Sequence, residues 1–242
     1  MLQRATKSSP LHVPWAHAVN SKAKLADAIA KHLAIEADVL LNGKGIPVMA
    51  HPPATDSDLS LETFLREVST STNGILKLDF KSHVAFATSL EKICRIDASL
   101  RQRLWLNADI LQGDKGSSPS FDATRFISEA LECHVEKLSV GWTTSALSEE
   151  YSEEMIDEML QLLQGINGAT LPVKASLVRS SWAALEKVLT TSSHGFTLWS
   201  NEKLTEEEMI WLHTALETPT EFKGRTYYDL EGWSDLVAKM QW

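Results

Sequence analysis

Five residues suited to metal-dependent phosphoryl transfer recur in the first third of the chain, each at the end of an apolar run. They are His17 in Val-Pro-Trp-Ala-His, Glu36 and Asp38 in Ile-Glu-Ala-Asp-Val-Leu-Leu, His51 in Ile-Pro-Val-Met-Ala-His, and Asp79 in Ile-Leu-Lys-Leu-Asp-Phe-Lys. A strand-like segment rarely buries a polar side chain, because each unpaired one costs a few kcal/mol. Any one of the five has a bland reading, as a structural ion pair or a satisfied core histidine. Their repetition at strand ends points to a site.

Glu36 and Asp38 are two apart, so on a strand both point to one face. Asp79 and Lys81 repeat that spacing, as do Asn107 and Asp109. Three converging carboxylates repel one another unless a cation or protons intervene. A hard, all-oxygen donor set suits one Mg²⁺ or Ca²⁺ ion better than zinc. Two imidazoles beside it can accept and donate a proton near neutral pH. With Lys81 on the phosphoryl oxygens, the combination describes cleavage of a phosphodiester by His17 and His51.

The elements that must position these residues follow from periodicity. Strands are predicted near 13–17, 34–41, 75–80, 103–110, 136–142, 171–178, 195–200 and 225–229, with a shorter one near 46–50 after a turn at 42–45. Helices are predicted near 21–32, 58–70, 82–97, 121–132, 148–165, 180–191, 204–217 and 230–240. Asn20 or Ser21 is expected to cap the first helix, and Ser60 with Thr63, or Asp58, the second. Eight strands alternating with eight helices over 242 residues match a closed (β/α)8 barrel, with an open doubly wound sheet as the alternative. No linker divides the chain, so residues 13–242 are read as one α/β barrel domain behind an N-terminal extension, 1–12.

Composition narrows the partners. Twenty-three basic against 32 acidic residues give a net charge of −9, which disfavours long nucleic acids and anionic membranes. No apolar run reaches the length of a membrane span, and the first residues lack the apolar core of a signal peptide, so an intracellular, cytoplasmic protein is expected. Cys94 and Cys133 form no CxxC pair and are read as buried free thiols.

Further residues are candidates for contacting a small phosphodiester substrate: Asn20, Asn107, Asp109, Lys174 (with Ser176 on the same strand face) and Trp199. Tyr228 and Asp229 end the last strand and are expected to line the pocket. His12, His32, His134, His194 and His213 show no partner pattern and are read as solvated.

These segments resemble the phospholipase-C-like phosphodiesterases. Glu36-Ala37-Asp38 followed by Gly45-Ile46-Pro47-Val48-Met49-Ala50-His51 is similar to the glycerophosphodiester phosphodiesterase signature. His17-Ala18-Val19-Asn20 and Asp79-Phe80-Lys81 look closer to the venom phospholipase D branch. From Val13 to Asp229 the resemblance is greatest to the menorin family, through Trp15-Ala16-His17-Ala18-Val19-Asn20-Ser21, Pro47-Val48-Met49-Ala50-His51-Pro52-Pro53, Trp105-Leu106-Asn107-Ala108-Asp109-Ile110 and Gly141-Trp142-Thr143-Thr144. The resemblance implies a (β/α)8 barrel with Glu36, Asp38 and Asp79 on a divalent metal, His17 and His51 as acid and base, and Lys81 on phosphate. It also implies attack by a neighbouring substrate hydroxyl to give a cyclic phosphate. Pro52-Pro53 after His51 and Asp79 in place of Glu depart from the glycerophosphodiesterase pattern. The alternatives are a non-catalytic barrel that binds a phosphorylated ligand or protein partner, and a nuclease acting on RNA termini or cyclic phosphates.

Overall fold

The computed structural model describes residues 9–72, 74–135 and 137–242. Nine strands form one sheet: β1 (Trp15–Ala16), β2 (Ala34–Leu41), β3 (Pro47–Met49), β4 (Leu76–Phe80), β5 (Leu104–Gln112), β6 (Lys137–Thr143), β7 (Thr170–Lys174), β8 (Gly195–Trp199) and β9 (Thr226–Asp229). Eight run parallel in the order β1-β2-β4-β5-β6-β7-β8-β9, with helices between them, and β3 folds back antiparallel on β2. This is a nearly closed (β/α)8 barrel.

Alternation on each strand decides which residues the barrel encloses. On β2, Ile35, Ala37 and Val39 are fully buried against the outer helices, while Glu36 and Asp38 point inward. The parallel register carries that inward row around the barrel, since Glu36 pairs with Lys77, Asp38 with Asp79, Asp79 with Asn107, and Asn107 with Ser139. At the opposite rim Trp105 lies edge-on to Trp15 and Tyr227, closing the barrel floor with aromatic surface.

The helices begin where their caps dictate. Ser21, Ser60, Ser82, Asp122, Ser152 and Thr205 each accept a hydrogen bond from the backbone N–H three residues on, satisfying donors a helix start leaves open. The short turn Pro10–His12 packs under the last helix, Trp233–Met240, where Trp233 Nε1 donates to the Leu11 carbonyl.

Three expectations are corrected. The strand expected over 171–178 ends at Lys174, and Ala175–Val178 is a helical turn, so Ser176 shares no strand face with Lys174. Cys94 and Cys133 are not free thiols: they form a disulfide between the ends of the helices His83–Arg95 and Ala123–Glu132. His194 is buried and His213 stacks on Trp242, so neither is solvated. Among the described residues, no helix is long and apolar enough to cross a membrane.

Candidate active site

In a barrel of parallel strands, the residues at the strands' C-terminal ends converge on one mouth. Here β2 delivers Glu36 and Asp38, and β4 delivers Asp79. Ligand oxygens of all three lie within 4.8 Å of one another. Glu36 and Asp38 are almost completely buried, and Asp79 is partly so. An all-carboxylate set this tight, lying out of water, fits a hard divalent cation.

The surrounding residues hold the carboxylates in place. Ala18 adopts a left-handed backbone (φ 51°), and its N–H donates to Glu36 Oε2 at 2.8 Å. Asn20 grips Asp38 twice, Nδ2 donating to Oδ2 at 2.6 Å and Oδ1 accepting the Asp38 N–H at 3.0 Å. Asn107 Nδ2 donates to Asp79 Oδ1 at 2.7 Å, and Ser139 Oγ donates to Asn107 Oδ1 at 2.7 Å. Lys81, just beyond β4, sets its ammonium 2.6 Å from Asp38 Oδ1 and 2.5 Å from Asp79 Oδ2.

Charge follows from that geometry. Burial pushes the Glu36 carboxyl up to about 7; His17 opposes the rise, and the charges of Asp38 and Asp79 add to it. Burial acts on Asp79 in the same sense, but the Lys81 and Lys77 charges outweigh it and hold the carboxyl below its ordinary value. Burial would lower Lys81, yet Asp79 and Asp38 carry it well above the usual lysine range.

His17 follows β1 and places Nδ1 2.7 Å from Asp229 Oδ2 and 3.3 Å from Glu36 Oε2. The Asp229 hydrogen bond raises its pKa to about 9; burial opposes the rise, and the Glu36 charge reinforces it. The side chain still keeps 57% of its surface open to the mouth. His51 lies one residue past Ala50, whose N–H donates to the Asp38 carbonyl at 3.1 Å. Its ring is exposed, with Nδ1 2.6 Å from the Pro52 carbonyl. In both histidines Nδ1 therefore faces an oxygen acceptor, leaving Nε2 as the nitrogen available to a ligand.

Seven of the eleven candidate residues thus meet around one point, and His51 follows the backbone link from Ala50 to Asp38. Asp109, Lys174 and Trp199 stand further round the rim, on β5, β7 and β8, and among the described residues make no hydrogen bond or ion pair to the carboxylates. Lys174 is anchored by its backbone N–H to Tyr151 Oη at 2.9 Å and pairs in register with Trp199, which pairs with Asp229. Asp109 opens to the mouth, where desolvation first and the Asp79 charge second push it up to about 7. Gly141 leaves room there: a Cβ at that position would meet Pro172 Cγ at 2.8 Å and Asp109 Oδ1 at 3.2 Å.

Sequence reasoning passed over two residues and undervalued a third. Lys77 and Ser139 were not singled out, although each shares an inward strand face with a candidate, Lys77 with Asp79 and Ser139 across from Asn107. Asp229 was read as pocket lining, whereas it holds the His17 ring.

Comparison with known proteins agrees with this architecture. The model of the menorin N-terminal domain matches residues 10–233. Human protein FAM151B is 34% identical over 240 residues, covering 93% of this chain and 84% of the relative. The crystal structure of the glycerophosphodiester phosphodiesterase of Thermotoga maritima superposes with a TM-score of 0.58 at 13% identity, over 95% of this chain and 98% of that one, and shares the barrel fold. The chain belongs to the menorin family.

Proposed function

We propose that this protein is a phosphodiesterase that uses one divalent cation, Mg²⁺ or Ca²⁺, with His17 and His51 exchanging protons with a small or medium phosphodiester. The observation that carries the reading is the convergence of Glu36, Asp38 and Asp79 within 4.8 Å beside His17 and Lys81. Phosphodiesterase chemistry on the same fold, in the Thermotoga maritima enzyme, supports it.

A cation held by the three carboxylates would polarise a phosphoryl oxygen. The chain's own groups do the rest. Lys81 reorients from Asp38 and Asp79 toward a second phosphoryl oxygen. His17 and His51 each present Nε2: one removes the proton of the attacking hydroxyl, and the other protonates the departing oxygen. Asp229 fixes the His17 ring and favours its cationic form. Without a metal, five carboxylates of the site (Glu36, Asp38, Asp79, Asp109 and Asp229) oppose Lys81, Lys174 and cationic His17 at the mouth and Lys77 below it, a balance near neutrality. A divalent cation makes the mouth positive, which suits a phosphodiester monoanion. The Cys94–Cys133 disulfide favours an oxidising compartment over the cytoplasm expected from composition.

The test is turnover of a phosphodiester panel by metal-stripped protein, with Mg²⁺, Ca²⁺ or Mn²⁺ added back. The panel spans glycerophosphodiesters, lysophospholipids, and linear and cyclic nucleotide phosphates. Metal-restored cleavage of one class, lost in His17→Ala, is expected. Metal-dependent thermal stabilisation without cleavage of any class would overturn the enzymatic reading in favour of a ligand-binding barrel.

A further inference from the structure

One charged residue inside the barrel moves no proton and makes no bond in the chemistry proposed above. Lys77 lies on β4 two positions before Asp79, so both side chains face the interior, and its register partner across the ladder is Glu36. The residue is 5% exposed. Among the described residues its ammonium makes no ion pair and no hydrogen bond. Its charge nevertheless acts on four groups of the site, His17, Glu36, Asp79 and Asp109.

Depth separates the two lysines of this strand. Lys81 follows Asp79 and stands at the mouth, against Asp38 and Asp79, where a substrate oxygen can displace it. Lys77 precedes Asp79 and lies on the floor side, with the carboxylates between it and the mouth. A phosphoryl group entering from the mouth meets the ligand oxygens first. Among the described residues Lys77 makes no bond to the ligand oxygens, and its effect on the site is through charge.

A charged side chain with little access to water is costly unless something opposes it, and so is a cluster of three carboxylates. Each offsets the other here without touching. We propose that Lys77 is a fixed counter-cation of the ligand cluster, holding Glu36, Asp38 and Asp79 together when no metal is bound and lowering the affinity for the divalent cation. Lys77 is then a positioning residue. The proposal rests on reading the cluster as a metal site, and not on any turnover.

The experiment is titration calorimetry of Mg²⁺ and Mn²⁺ into metal-stripped wild type, Lys77→Met and Lys77→Arg, at about pH 8 so that the carboxyls are ionised. Melting temperatures are recorded with and without metal. Removing the charge is expected to tighten metal binding on the order of tenfold or more. Lys77→Met should also melt lower than wild type without metal and gain more from saturating Mg²⁺. Lys77→Arg, which keeps the charge, should bind metal like wild type. Equal or weaker metal binding by Lys77→Met overturns the role of Lys77 alone. A wild type that binds no divalent cation overturns the metal reading and this proposal together. If Lys77→Met folds only with metal present, the proposal is supported. If it folds under neither condition, Lys77→Gln is measured against the same expectations.

Discussion

His17 and Asp229 stand 212 positions apart, yet Nδ1 of the first lies 2.7 Å from Oδ2 of the second. The contact joins the first strand of the barrel to the last. Among the described residues no ladder of hydrogen bonds joins β1 to β9, so this side-chain bond spans the seam where the sheet closes. Closure of the sheet, to which the edge contact of Trp15 with Tyr227 also contributes, and the orientation of a proposed acid–base group thus share this interaction.

A pH dependence follows from it. The folded-state pKa of His17 is raised to about 9, above its value in an unfolded chain. A raised pKa contributes stability that is fully present below the unfolded value, about 6.5, and is lost as pH rises through the folded one. Metal-free protein should therefore melt at progressively lower temperature between those two pH values. In Asp229→Asn, which removes the charged acceptor, that part of the slope should flatten. Parallel melting curves for the two proteins across this range would show that the bond does not hold His17 cationic.

Substituting the histidines should separate chemistry from folding. His17→Ala and His51→Ala are each expected to lower turnover by roughly 10²–10⁴-fold, the range of a positioned acid or base. The His51 side chain is exposed and, among the described residues, bonded only to the neighbouring Pro52 carbonyl, so its loss should leave the melting temperature unchanged. His17→Ala should also lose the pH-dependent stability described above. Full turnover in either purified variant would exclude that residue from proton transfer.

Much of this site could be read from residue spacing, because strand geometry makes position two residues on a statement about the same face. Glu36 with Asp38, and Asp79 with Lys81, needed only that rule and the convergence of barrel strands. The partner of His17 did not follow, since nothing local links position 17 to position 229. Lys77 lay within reach of the same rule, two positions before Asp79, and was not singled out. The end of β7 was misplaced for a different reason. Val173, Leu177 and Val178 continue an apolar run, and only the observed backbone turns it helical after Lys174. The cysteine pairing depends on how two outer helices pack, which their separate amphipathic patterns leave open.

The chain of bonds behind Asp79 offers a graded test. Asn107→Ala removes the donor to Asp79 Oδ1 and leaves Ser139 without its acceptor. A lost partner of this kind in the interior costs about 1–3 kcal/mol. Groups that orient ligands typically alter metal affinity by about 10–100-fold, and weaker Mg²⁺ binding in that range is expected. Ser139→Ala touches no carboxylate, so its smaller effect on metal affinity should vanish in the Asn107→Ala background. Additive losses in the double variant would mean that Ser139 does not act through Asn107.

The disulfide should matter for stability and not for the site. Cys94 ends the helix that follows β4, and Cys133 ends the helix that follows β5, so the bond lies at the rim opposite the mouth. It closes a loop across 39 positions, for which chain-entropy arguments give roughly 2–4 kcal/mol. Reduction, or Cys94→Ser with Cys133→Ser, is expected to lower the melting temperature and the denaturant midpoint accordingly. Metal affinity should stay at the wild-type value, because Asp79 and Asn107 are held by strand register and by each other. A large fall in metal affinity on reduction would mean that the packing of these two helices is transmitted along β4 and β5 to the mouth.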